Sequence, residues 1–308
     1  MPVIHCHACK FWKVKSLETG HSGASTEALL GAAFGADCGP VGPLDGPQGR
    51  AWLRAVALAG AGRFAAARVL AARVSDGPFG SAARCLEASM LRQSGRHRAA
   101  TVPDGAALAI AYTGCEQPVY GMSVALTIDA TVGLAADALG TGRYALSARL
   151  LARADEHLAA HDTGAAGSAG EGAAAPSSNP WWTVPRARLR RDWVAAELAV
   201  YSGDTAGAAG AVDALLAADP GVGRPRHHAK TLLIAGAAAM ASGEADRAAE
   251  LVENAYRVAT ESVLNPLRWA GAKMMSGTSG EEPGAEAARI VAAVEEEWIR
   301  DGADLAGV

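Results

Sequence analysis

Aromatic residues make up only 5% of this 308-residue chain, and neither sign of charge is in large excess. A formal net charge of −4 gives no bulk attraction to nucleic acid or to an anionic membrane surface, so neither is expected as a direct partner. Five cysteines without regular spacing exclude a disulfide-stapled framework. Long apolar runs are missing as well. The stretches around 106–111 and 122–128 are cut by Glu116, Asp129 and Asp137, short of the roughly 20 residues that a membrane span needs. The opening residues Met1 to His7 lack the basic region, apolar core and small-residue cleavage site of a signal peptide, so a cytoplasmic location is expected. No nucleophile elbow, phosphate-cradling glycine loop or dinucleotide fingerprint is present. The expectation is therefore a protein that is not an enzyme and carries no cofactor.

What is abundant is alanine, within a composition that is 50% hydrophobic. Alanine is the best helix former and lets helices approach closely, which points to an all-α protein. A short turn recurs between Ala-rich stretches: Gly62-Arg63-Phe64, Gly95-Arg96-His97, Gly142-Arg143-Tyr144, Gly203-Asp204-Thr205 and Gly243-Glu244-Ala245. Such a recurrence is the pattern of stacked helical hairpins. The pairing predicts helices over 50–59 with 64–74, 81–93 with 104–112, and 120–138 with 145–160. It continues over 185–201 with 206–218, 227–241 with 245–260, and 266–275 with 285–300. Pro103 delays the second helix of the second pair, because proline inside a helix removes a hydrogen bond. The chain divides into a poorly packed arm at 1–45, a helical lobe at 46–161, a Gly/Ala/Ser-rich linker at 162–180 and a second lobe at 181–302.

The turns resemble those of tetratricopeptide repeats, helix-turn-helix units of about 34 residues. That family places Gly and then an aromatic at the turn, with a small residue three positions later. Gly62-Arg63-Phe64 with Ala67 follows the pattern, and Gly142-Arg143-Tyr144 with Ser147 is similar. The turns at Gly203 and Gly243 keep the glycine and the small residues Ala208 and Ala248 but lose the aromatic. The resemblance covers residues 48–260. It implies an antiparallel hairpin solenoid that grips a peptide or partner protein in a concave groove lined by the first helix of each pair.

Four constellations are candidates for chemistry. The fourth and fifth pairs open on basic residues: Arg186, Arg188, Arg190 and Arg191, then Arg224, Arg226, His227, His228 and Lys230. With Arg50, Arg54 and Arg84, these give a stripe whose guanidinium forks suit carboxylate or phosphate oxygens. Arg186, Arg190, Arg226 and His228 are the expected ligand contacts, with Trp182 as a flat anchor. Against this stands a solvated face with local pairs such as Arg188–Asp192. Cys6 and Cys9, with His5, His7, His21 and Cys38 near in sequence, have half of a zinc-site spacing. His157 and His161 share a helix face but lack the glutamate that follows the first histidine in the metalloprotease form, so helix-end capping is the stronger reading and no metal is expected. Asp129 lies on an apolar helix stripe and requires a buried cationic partner, for which Arg84 and Arg190 are candidates. The functional expectation is a non-catalytic interaction scaffold. The alternative is a sensor or effector subunit of a bacterial transcription-control system that acts through a separate DNA-binding partner.

Overall fold

The structure is a computed structural model, and it describes residues 24–113, 122–167, 179–278 and 281–305. Among the described residues, 80% are helical and there is no strand. Thirteen helices follow one another: α1 Thr26–Phe34, α2 Pro47–Gly60, α3 Phe64–Ala71, α4 Gly77–Gln93, α5 His97–Thr113, α6 Met122–Gly140 and α7 Tyr144–Gly167. After residue 178 come α8 Val184–Ser202, α9 Thr205–Ala217, α10 Pro225–Ala241, α11 Ala245–Glu261, α12 Asn265–Thr278 and α13 Glu281–Arg300. A short 3-10 turn, Gly42–Asp45, precedes α2. The all-α expectation holds, and each predicted pair is present.

Local chemistry sets the helix starts. Pro47, Pro78, Pro185 and Pro225 occupy the first turn of their helices, where a missing N–H costs nothing. Ser25 and Asp204 accept backbone N–H bonds at the starts of α1 and α9. The turns reverse through glycine in the left-handed region. Gly142 sits at φ +73° with open space around its Cα, so Gly142→Ala isolates the backbone term and is expected to cost about 1 kcal/mol in a urea melt. Gly62, at φ +85°, would add a Cβ 3.1 Å from Asn265, so its substitution is expected to cost more.

Three expectations need correction. Pro103 does not delay α5, which begins at His97 and carries the proline inside it. The segment 162–180 is not linker throughout, since α7 continues to Gly167; residues 168–178 lie outside the described set. The arm is packed over its described part. Leu29, Leu30, Ala33 and Phe34 are buried in the largest core cluster together with Trp52 and Trp182. Residues 1–23, and with them Cys6, Cys9 and His21, lie outside the described residues.

Packing follows the pair order. Each of α2, α4, α6, α8 and α10 touches the next first helix, while α3, α5, α7, α9 and α11 pack between consecutive first helices. The small residues that follow the turns, Ala67, Ala100, Ser147, Ala208 and Ala248, are fully buried at these crossings. α6 alone among the described helices has the length and apolarity of a membrane span. It is mostly buried, and it carries the charged Asp129 and Asp137 into the interior.

The row of pairs also meets its own beginning. The backbone N–H of Ala65 donates to the Asp301 carbonyl at 2.9 Å, and Arg63 pairs with the Asp301 carboxylate at 3.1 Å. Arg96 pairs with Asp304 at 2.7 Å. Phe64 meets Trp298 edge-on with ring centroids 5.3 Å apart, and both rings are fully buried. Glu295, half-buried, accepts the indole N–H of Trp269 at 2.7 Å. The first and last pairs thus meet, and the first helices line a half-open chamber.

Candidate binding chamber

The chamber has a volume of about 720 Å³. Phe34 of α1, Trp52 of α2, Met122 and Leu126 of α6, Trp193 of α8 and Trp269 of α12 supply apolar wall. The polar wall comes from Arg92 of α4, Asp129 of α6, Arg186 and Arg190 of α8, and Arg226, His227 and Lys230 of α10.

Arg186 and Arg190 stand one helical turn apart on α8, so both point the same way. Each donates to the Asp129 carboxylate, Arg186 to Oδ2 and Arg190 to Oδ1. Asp129 is only 3% exposed. Burial alone would raise its pKa, but the two guanidiniums outweigh burial and hold the carboxyl below the usual range. Arg190, one of the two partners expected for Asp129, is confirmed. Arg84 is not, because it bonds Glu87 on its own helix.

Arg226 comes to the same region from α10. Its one hydrogen bond is from Nη1 to the Val56 carbonyl at 3.3 Å, and its guanidinium lies 5.6 Å from the Phe34 ring centroid. No carboxylate among the described residues pairs with it. Burial, and then the charges of Arg186 and Arg190, push its pKa down to about 9. Three guanidiniums therefore lie together, and the one carboxylate beside them, Asp129, pairs with two.

A second charged group occupies the wall where α4, α5 and α6 meet. Arg92 donates to Asp104 and, at 3.1 Å, to Asp137. Gly133 makes room for it, since a Cβ there would collide with the Asp104 carboxylate. Two buried carboxylates on one guanidinium cannot both ionise freely. Burial raises Asp137 to about 6, with Asp104 adding to the rise and Arg92 opposing it; burial raises Asp104 too. The folded protein thus holds the Asp137 proton between pH 4 and 6, where the unfolded chain has released it. Stability from this group is full below pH 4 and is lost as pH rises through about 6. Asp137→Asn mimics the protonated form. It is expected to raise Tm by about 4 °C at pH 8, by roughly half as much at pH 5 and by little at pH 4, as thermal melts at the three values would show.

The structure sorts the residues expected at the site. Arg186, Arg190 and Arg226 converge. Trp182 is present but built into the wall, 2% exposed, with its indole N–H directed at the Pro40 carbonyl at 3.4 Å. His228 is not part of the wall; its Nδ1 meets the Asp219 carboxylate at 2.6 Å. Its neighbour His227 is the chamber histidine. It is ringed by Trp181 at 4.5 Å, Trp193 at 5.8 Å and Phe34 at 6.2 Å between centroids, and its Nδ1 is buried without a hydrogen-bond partner. Burial and the adjacent arginines keep its pKa well down, so the ring is neutral. One residue along a helix is a rotation of about 100°, which is why the sequence could not choose between the two.

The remaining basic residues do not extend the stripe. Arg50 donates to Thr26 and to the Ala24 carbonyl, and Arg188 to Asp162 rather than Asp192. Arg191 pairs with Asp155 and Asp192. No group of three or more His, Cys, Asp or Glu side chains suited to a metal occurs among the described residues. His157 meets the Tyr112 hydroxyl and His161 meets Asn179. Cys85 and Cys38 are buried, and burial raises both thiols, which makes them poor nucleophiles. Compared with known proteins, the chain matches no family model, no curated protein and no solved structure.

Proposed function

We propose that this protein is a non-catalytic binding module, a tetratricopeptide-like stack whose first helices hold an acidic peptide segment of a partner protein. The observation that carries the reading is the grouping of three arginines in the wall, of which Arg186 and Arg190 pair with Asp129 and Arg226 stands beside them without a carboxylate. Guanidinium forks with spare donors recognise carboxylates, and aromatic walls beside them give a desolvated anchor. The test is fluorescence anisotropy with labelled acidic peptides, and basic peptides of equal length as controls. Arg190→Ala combined with Arg226→Ala is expected to weaken the acidic peptides by about tenfold or more. Equal affinity in the wild type and the double variant would reject this surface.

The closure of the first pair on the last favours a second reading. A chamber lined by every first helix suits a sensor, so the protein would then be a regulatory subunit working through a separate DNA-binding partner. Under that reading the partner's capture changes when the chamber is filled.

A further inference from the structure

Among the described residues, the wall charges pair off with one exception. Lys230 pairs with Glu197 at 3.1 Å, Arg92 with Asp104 and Asp137, and Arg186 and Arg190 with Asp129. Arg226 is left with a backbone carbonyl and the face of Phe34. A guanidinium in a partly desolvated site among two others is costly without a counter-charge. Next to it is a second unmet group, the Nδ1 of His227, in a side chain only 3% exposed. Apolar side chains also line the chamber, among them the rings of Phe34, Trp52 and Trp182 and the side chain of Leu126. An inorganic anion would answer the charge but fill little of a chamber of about 720 Å³. A neutral apolar molecule would cover the walls and leave the charge unanswered.

We propose that the chamber is a site for a small organic anion, with its carboxylate or phosphate head on Arg226 between Arg186 and Arg190, a polar atom near His227, and a flat apolar body against Phe34, Trp52 and Trp182. The volume of about 720 Å³ falls in the range that encloses a molecule of drug size. The closing contacts of Asp301 and Trp298 with the first pair hold the wall in place around it. The inference shares with the binding-module reading only the premise that the inner face is the working surface. It differs in the occupant, a whole small molecule in place of a peptide segment.

Isothermal titration calorimetry on the full chain tests it, with naphthoate and naphthyl phosphate as anions, naphthamide as the neutral isostere, and a short acidic peptide as the macromolecular competitor. The expected result is millimolar or tighter binding of at least one naphthyl anion, at least about tenfold weaker binding of naphthamide, and a loss of about tenfold or more in Arg226→Met. Arg226→Lys, which keeps the charge without the fork, is expected to fall between the two. Melting curves of both variants establish that they are folded. Equal binding of naphthoate and naphthamide overturns the proposal, as does anion binding that Arg226→Met leaves unchanged. Binding of the peptide without either naphthyl anion overturns it too, while leaving the binding-module reading intact. If neither peptide nor anion binds, both fail.

Discussion

Asp129→Ala is expected to lower Tm by about 10 °C. Arg186 and Arg190 are only 11% and 17% exposed, and Asp129 is the carboxylate that bonds both. Removing one member of a buried ion pair leaves the other charge without compensation, which costs about 3–5 kcal/mol. Here two guanidiniums lose their partner at once, and Arg226 stands beside them. At about 2–4 °C per kcal/mol for a chain of this size or somewhat smaller, the shift is large and easily read by calorimetry. The charge account makes a further demand. In Asp129→Ala, an added Arg190→Leu relieves part of the repulsion, so the double variant should melt above the single one. A double variant that melts lower still would mean that packing, not charge, is what Asp129 supplies. The pH dependence has a fixed sign. A carboxyl whose folded pKa is depressed contributes stability above its unfolded value near 3.8, and that stability is lost as pH falls through the folded value. Wild-type stability should therefore drop more steeply below pH 4 than that of Asp129→Ala. The Asp137 effect runs the other way and at higher pH, so the two are separable in one set of melts.

Where sequence reasoning succeeded and failed follows from the range of the interactions involved. Each pair of helices was legible because its signals are local: alanine-rich stretches, proline in a first turn and glycine between the two helices. Asp129 was legible as a buried charge because the residues three and four positions away on α6 are apolar, and a charge on such a stripe needs a partner. The closure was not legible. It joins Arg63 and Ala65 to Asp301 across nearly the whole chain, and nothing in either short segment marks the other as its mate. Phe34 was lost with the arm, since a nine-residue helix with no strong apolar stripe gains its order from the core it meets rather than from its own sequence. Pro103 misled for a related reason. Its cost falls on one hydrogen bond, whereas α5 packs against α4 and α6 along its length. The arginines were found in the right places, but their number was overstated. Arg50, Arg84, Arg188 and Arg191 each meet an oxygen close by, and no count of basic residues distinguishes a satisfied guanidinium from a spare one.

Arg226 is the spare one, and this yields the opposite expectation for its replacement. Arg226→Met is expected to raise Tm by a few degrees in the absence of ligand while removing anion binding. The stem of Arg226 packs against Gly60, with Cδ 3.3 Å from where a Cβ on that glycine would lie, and a methionine retains most of this contact. What is removed is a charge that burial and two like charges oppose, together with one bond of 3.3 Å to Val56. A bond of that kind is worth about 1 kcal/mol or less, and replacing buried charge by apolar volume is often stabilising by about 1–4 kcal/mol. The balance favours methionine. A residue whose loss stabilises the empty protein is held for something other than folding, because binding sites retain local destabilisation that the ligand relieves. The same balance makes a filled chamber more stable than an empty one, by an amount that grows with ligand concentration in the wild type and not in Arg226→Met. If Arg226→Met instead lowers Tm by more than a few degrees, the guanidinium has a stabilising role that outweighs its exposure to Arg186 and Arg190. The excess charge on which the anion site rests would then not exist.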